Sequence, residues 1–257
     1  MGVIASFIDW YTLGFVLIGF FAQLCDGALG MGFGAISSTV LTVIGLPREI
    51  VSATVNGAKI LTGTASTVAH LAYKNFNLRA LLVLAAGGVI GGLVGAWLLT
   101  QSGKVRYVAP VVSGYLIVVG IYIIWRAQHV EKARVAQLRI AAVGVAAGFL
   151  EAVAGVWGPL ATSNLVTSGL AARFAIGVGN IAETVVAVVV FTVLVHHIGF
   201  DQLSRSAVGL VIGALIASPL AARLTANVSK RRLTIGVGIM IILSSVMRLV
   251  RDLGLLG

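Results

Sequence analysis

Charged side chains are scarce inside the long apolar segments of this 257-residue chain. Those that occur there are candidates for function, because a charge in lipid is costly. They are Asp26, Lys59, Glu151 and Glu183. Lys59 follows Asn56 by three residues and Glu183 follows Asn180 by three, which places each charge beside an amide on one helix face. We expect both asparagines to bind substrate oxygens or to satisfy the broken backbone, and Lys59 to attract an anion. The three carboxylates are candidates for proton coupling. The alternative for Lys59 is a buried ion pair that holds helices together.

Two glycine-rich stretches interrupt the apolar segments. The first segment contains Gly27-Ala28-Leu29-Gly30-Met31-Gly32-Phe33-Gly34, and the fifth contains Gly155-Val156-Trp157-Gly158-Pro159. Glycine and proline weaken helices, and a break in lipid frees backbone N–H groups that need protein, water or a ligand around them. In transporters, such half-helix N-termini bind anionic substrates near the membrane midplane. The expected substrate-binding residues at the two breaks are Gly30, Met31, Gly32, Phe33, Gly34, Trp157, Gly158 and Leu160.

The composition is typical of a polytopic all-α membrane protein, since 59% of the residues are hydrophobic and 10% are charged. The formal net charge of +10 comes from Lys and Arg in short connections, so it indicates membrane topology and not nucleic-acid binding. Cys25 is the only cysteine, which excludes an internal disulfide. The sequence has no metal-ligand spacing, nucleophile triad or phosphate-binding loop, so we expect neither an enzyme nor a cofactor nor a metal.

Eight apolar segments follow one another along the chain, over residues 10–44, 50–73, 78–101, 105–125, 137–168, 174–197, 205–224 and 231–250. Six fit one helical crossing of about 20 residues, whereas the first and fifth are too long for one. Gly45-Leu46 matches Gly169-Leu170 and Asn56 matches Asn180 at a common shift of 124 residues, which indicates an internal duplication. We expect a first repeat over 1–127, a linker over 128–138 and a second repeat over 139–257.

Small residues recur every four positions in the corresponding segments of both halves. They are Gly87, Gly91 and Gly95 in the first half and Gly209, Gly213 and Ala217 in the second. Small residues at this spacing let helix backbones approach closely in lipid. We expect them to pack inside one subunit, with a homodimer interface as the alternative.

The Lys and Arg residues of the connections give an orientation only if the two long segments are hairpins. If all eight segments cross the membrane, nine of the seventeen loop Lys and Arg residues lie on one side of it and eight on the other. If the first and fifth segments each enter and leave the membrane on the same side, eleven of these residues lie on one side and six on the other. The two halves then have inverted orientations. We therefore predict two inverted four-segment repeats, with segments one and five broken or re-entrant at the glycine motifs. Both ends of the chain then face outward.

These motifs resemble the sulfite exporter TauE/SafE family, also grouped as toluene sulfonate uptake permeases. The resemblance lies in Phe20-Phe21-Ala22-Gln23 leading into the first glycine-rich run, in Gly45-Leu46-Pro47 followed by Ala53-Thr54-Val55-Asn56, and in Gly179-Asn180. It covers essentially the whole chain. It implies a small secondary carrier for sulfite, sulfonates or related organosulfur anions, driven by an ion gradient.

The sequence and the resemblance together predict a multi-pass transporter of the cell inner (cytoplasmic) membrane that works by alternating access. Its expected partners are the anion, a coupling proton or sodium ion, the lipid bilayer and, as an option, a second copy in a homodimer. Two other classes stay open at this stage. An anion channel would contain the same helices, and a membrane scaffold subunit would bind a protein and no small anion.

Overall fold

The computed structural model describes residues 10–29, 32–101, 108–128, 137–224 and 230–253. Within these ranges all regular structure is helical, in agreement with the predicted all-α class. The helices are α1 (Trp10–Leu29), α2 (Phe33–Val43), α3 (Arg48–Ala72), α4 (Leu78–Gln101), α5 (Val108–Gln128), α6 (Gln137–Ala154), α7 (Ala161–Thr167), α8 (Ala172–Ile198), α9 (Ser204–Leu224) and α10 (Lys230–Asp252), with a 3-10 turn at Phe200–Leu203. Most of the predicted linker lies outside the described residues.

Three stretches within the described helices are long and apolar enough to cross a membrane by length and composition. They are Leu78–Gln101, Gln137–Ala154 and Arg173–Ile198. Shorter apolar helical stretches occur at Thr12–Leu24, Phe33–Val43, Ser113–Trp125 and Ala207–Ala217. Large apolar side chains on the outer surface, such as Trp97 at 60% exposure and Leu138 at 84%, suit contact with lipid acyl chains.

The two long apolar segments are each divided into two helices, as their glycines predict. In the fifth segment, α6 ends at Ala154 because Gly155 takes a φ of +68°, a conformation that glycine adopts without strain. The N–H groups of Gly155 and Val156 satisfy the carbonyls of Glu151 and Leu150 at 2.9 and 3.3 Å. In the first segment, α1 ends at Leu29 and α2 begins at Phe33. Gly30 and Met31 lie outside the described residues.

Equivalent turns follow the short helices of both halves. Gly45, after α2, has a φ of +93°, and Gly169, after α7, has a φ of +91°. The next residue in each case donates its N–H to a carbonyl five residues earlier, from Leu46 to Leu41 and from Leu170 to Leu165, at 3.2 and 3.1 Å. This is the hydrogen-bond pattern of a glycine-terminated helix end. The sequence match between these two positions is therefore a match in local structure.

The most extensive helix packing joins helices of one half to helices of the other. The main pairs are α1 with α9, α4 with α6, α3 with α8 and α5 with α10. A Cβ at Gly91 of α4 would collide with the backbone of α6 at Val145 and Phe149, and one at Gly213 of α9 would collide with the backbone of α1 at Val16. The small residues therefore pack inside one subunit, as predicted.

The contacts also give the relative directions of the paired helices. On α4, Gly87 faces Ala141 of α6 and Gly91 faces Val145, so both helices run the same way. On α5 and α10 the order is reversed, because Gly120 faces Ile242 while Gly238 faces Ile124.

The central pair α3 and α8 is also antiparallel. Gly57, early in α3, faces Phe191 near the end of α8, whereas Ser66, later in α3, bonds Asn180 near the start of α8.

Candidate functional site

The two helix breaks meet in the interior of the bundle. Gly34, in the first turn of α2, lies against the carbonyl oxygen of Gly155, and both residues are buried. A Cβ at Gly34 would collide with that oxygen and with the end of the Lys59 side chain. A Cβ at Gly155 would lie 2.6 Å from Ser38 Oγ and 2.8 Å from the Gly34 carbonyl oxygen. The close approach of the two backbones therefore requires glycine at both positions.

Three ionisable side chains from three helices converge at this contact. Lys59 Nζ of α3 donates to Glu151 Oε1 and Oε2 of α6 at 2.7 and 2.8 Å, and to Glu183 Oε1 of α8 at 2.7 Å. It also lies 3.3 Å from the Gly155 carbonyl oxygen. The Glu151 side chain is fully buried, and the Lys59 and Glu183 side chains are 9% and 23% exposed. We call Lys59, Glu151 and Glu183 the ion triad.

The ion triad favours the alternative stated above for Lys59, a buried pair that joins helices. An ammonium group has three N–H donors, and here they point at two carboxylates and a backbone carbonyl. Lys59 and Glu183, which occupy matching positions in the two repeats, contact each other directly. With both carboxylates ionised the ion triad carries one net negative charge.

The two asparagines lie on opposite sides of the ion triad along α3. Asn56 is fully buried and donates to the Ser52 carbonyl at 2.9 Å and to Ser52 Oγ at 3.3 Å, while its Oδ1 has no protein partner. Asn180 Nδ2 lies 3.1 Å from Ser66 Oγ and 3.2 Å from His70 Nε2, toward the other end of α3. The structure therefore does not bring the two amides together at one point.

Polar side chains line one face of α3 from end to end, a feature that the sequence interpretation did not use. The face consists of Arg48, Ser52, Asn56, Lys59, Ser66 and His70. Their spacings of three, four or seven residues are those of a single helix face, and this period was visible in the sequence. We call this set the α3 polar face.

The other predicted contacts at the second break are occupied by the protein itself. Trp157 is 1% exposed, donates its indole N–H to the Gly179 carbonyl at 3.0 Å and packs against Gly88. The N–H groups of Leu160 and Ala161 both donate to the Trp157 carbonyl, at 3.1 and 2.9 Å. These contacts stabilise the break in this conformation. The Leu160 N–H is already bonded within the protein, so it does not point at a ligand.

The remaining predicted residues lie around the first break. Gly32 is buried immediately before α2, and Phe33 is 3% exposed in an apolar cluster with Phe15 and Leu41. Gly158 is buried between Trp157 and α7. Asp26 lies in α1, and its side chain is outside the described part of the structure. Within the described residues, no group of three or more His, Cys, Asp or Glu side chains could hold a metal ion.

Comparison with known proteins identifies the family of this chain. The family model described as "Sulfite exporter TauE/SafE" matches residues 15–248. A similar curated protein is the "Probable membrane transporter protein YtnM" of Bacillus subtilis (strain 168), 32% identical over 249 residues, which cover 93% of this chain and 82% of that protein. None of the solved structures matches. The chain is a multi-pass membrane transporter that belongs to the sulfite exporter TauE/SafE family.

Proposed function

We propose that this protein is a secondary transporter that moves small sulfur-containing anions, such as sulfite or sulfonates, across the cytoplasmic membrane by alternating access. One observation carries the proposal: two broken helices from matching positions in the chain meet at a buried ion triad. Helix packing alone requires neither helix breaks nor buried charges inside a membrane bundle. This arrangement therefore supports a role in binding or transporting an ion. The anion class comes from the family's description.

We further propose that the two repeats are inverted. If every apolar segment crossed the membrane once, α3 and α8 would be the second and sixth crossings and would run parallel. With hairpins in segments one and five they become the first and fourth crossings and run antiparallel. The contacts between Ser66 and Asn180 and between Gly57 and Phe191 support the second arrangement. The loop charges support it as well, and in this arrangement the linker between the repeats lies in the cytoplasm.

In the proposed cycle the ion triad couples a proton to the movement of the repeats. Glu183 is the more exposed carboxylate, at 23%, and takes up the proton, whereas Glu151 is fully buried and serves as the fixed counterion of Lys59. A proton on Glu183 weakens the ion pair that ties α3 of the first repeat to α8 of the second. This release allows one repeat to rock against the other. Reformation of the pair after proton loss returns the bundle to its starting conformation.

The asparagines contact the anion at successive stages of this cycle. Asn56 lies on the side of the ion triad nearer the start of α3, and Asn180 lies on the side nearer its end. The Asn56 Oδ1 atom, which has no protein partner, accepts a hydrogen bond from a protonated anion or a bridging water. The α3 polar face joins the two positions and provides the path between them.

Thermal stabilisation of the purified protein in detergent tests whether it binds such anions. Sulfite, thiosulfate, sulfate and short alkyl or aryl sulfonates are compared with chloride at equal ionic strength. A ligand at about 100 times its Kd stabilises the folded state by about 2.7 kcal/mol, which raises the unfolding temperature measurably. We expect a selective increase with one class of sulfur anion. Equal unfolding temperatures in all of these salts would contradict the proposal and favour the scaffold alternative.

A further inference from the structure

A small pocket with both polar and apolar walls lies between the start of α3 and the second helix break. Arg48, the first residue of α3, lines this pocket together with hydroxyl groups from three other helices and the apolar side chains of Val51, Leu116 and Ile241. These hydroxyl residues are Ser38, Thr39, Thr42, Ser113 and Ser245. Val153 and Ala154, the last residues of α6 before Gly155, close the inner end. The volume of this pocket, about 30 Å³, suits the compact head of an inorganic anion better than a bulky organic substituent.

The charged and polar groups of the pocket are hydrogen-bond donors that could bind the oxygens of an anion. The half-buried Arg48 donates an Nη2 hydrogen bond to Ser113 Oγ at 2.7 Å, which fixes the guanidinium against α5. Ser113 is fully buried and Ser245 is 3% exposed, so these hydroxyls face the interior and not the lipid. A guanidinium and several hydroxyls together form a donor set that matches the oxygens of sulfur or phosphorus oxyanions.

An unsatisfied hydroxyl connects this pocket to the helix break. Ser38 is 6% exposed, lines the pocket, and its Oγ has no hydrogen-bond partner in the protein. A buried hydroxyl without a partner costs free energy that a ligand or a water would recover. The same Oγ lies beside Gly155, whose carbonyl oxygen is 3.3 Å from Lys59 Nζ. Ser38 therefore lies between the pocket and Gly155, whose carbonyl contacts the Lys59 side chain.

We propose that this pocket binds the oxyanion head of the substrate, with Arg48 as its charged ligand and Ser38 as the inner hydroxyl donor. The proposal rests on the proposed transport function. It assigns the attraction of the anion to Arg48, whereas the sequence predicts Lys59 for this role. Arg48 lies at the end of the α3 polar face opposite His70, so the pocket is the loading site on one side of the membrane. In the inverted arrangement this is the outward-facing side.

Thiol labelling tests the pocket without relying on transport. A Thr42→Cys reporter is made in a Cys25→Ala background and treated with methanethiosulfonates that carry either a sulfonate or a trimethylammonium group. We expect the anionic reagent to react about tenfold faster than the cationic one, because the Arg48 charge attracts one and repels the other. Arg48→Gln removes this preference. Arg79→Gln is the matched control, since Arg79 is exposed at the start of α4 and bonds only Gln137 among the contacts described.

Protection experiments then identify the occupant. Sulfate and methanesulfonate should slow labelling of the reporter in the Arg48 protein and in the Arg79→Gln protein, and have no effect in Arg48→Gln. Equal protection in Arg48→Gln overturns the proposal. Protection by phosphatidylglycerol vesicles but not by sulfate, with phosphatidylcholine vesicles as the reference, assigns the pocket to a lipid head group and also overturns it. If anion protection depends on Arg48 but proteoliposomes carry no sulfur anion, the site is upheld and the transport function fails.

Discussion

Replacement of Lys59 by methionine tests most sharply how the ion triad acts. The Lys59 ammonium lies 2.7 Å from oxygens of both Glu151 and Glu183 and is 9% exposed. The variant leaves two carboxylates facing each other with no cation, one of them fully buried. Removal of one partner from a buried ion pair costs about 3–5 kcal/mol. Methionine keeps the length of the aliphatic stem, so little of this cost comes from a cavity.

Thermal unfolding in detergent measures the effect. For a chain of this size, each kcal/mol lowers the unfolding temperature by about 2–4 °C, so Lys59→Met should lower it by roughly 6–20 °C. Lys74→Met is the control, because Lys74 is exposed in the turn after α3 and the same charge is lost. A triple variant that adds Glu151→Gln and Glu183→Gln should recover most of the stability, since no unpaired charge remains.

The reasoning is refuted if Lys59→Met unfolds at the same temperature as Lys74→Met. It is also refuted if the triple variant is no more stable than the single one, because the carboxylates would then not be the source of the penalty. In either case Lys59 would return to its first interpretation as a direct ligand of the anion.

Two further predictions concern the break and the amides. Gly155→Ala should lower the free energy of unfolding by about 1–3 kcal/mol, because its Cβ would meet the Gly34 carbonyl and its φ is positive. Gly14→Ala is the control and should leave this free energy unchanged, because the space around Gly14 is open. Equal unfolding curves for the two variants would contradict the tight contact at Gly155. Asn56→Leu and Asn180→Leu should each reduce sulfite uptake into proteoliposomes at least about tenfold while the folded yield stays that of the wild type. Wild-type uptake in both variants would remove the amides from the path.

The helix bounds and the breaks could be predicted because their signals are local. Glycines close to a proline weaken a helix through a few consecutive residues, as in the stretch from Gly155 to Pro159, and α6 ends immediately before Gly155. The small residues at every fourth position likewise identify a close packing surface before the partner helix is known. The match of Gly45 to Gly169 reflects a shared turn, and such turns depend on a few consecutive residues.

The site could be predicted only in part, because its contacts join helices far apart in the chain. Both members of the pair Lys59 and Glu183 were identified from the sequence, but their direct contact depends on how α3 crosses α8. Arg48 was counted as a loop charge, since nothing near it in sequence indicates the hydroxyls of α5 and α10 that it faces. The sequence predicts that Trp157 contacts a substrate. Its indole N–H instead donates to the Gly179 carbonyl of α8, a contact that only the tertiary structure reveals.

The measurement that tests the central claim most directly is accumulation of radiolabelled sulfite in proteoliposomes under an imposed proton gradient of either direction. The account predicts that the wild-type protein accumulates sulfite above the bath concentration in one direction of the gradient. Glu183→Gln should exchange sulfite across the membrane without accumulating it, and Asp201→Asn, which alters an exposed carboxylate, should behave as the wild type. Wild-type flux that stops at equal concentrations would indicate a channel, and accumulation by Glu183→Gln equal to the wild type would contradict proton coupling at the ion triad.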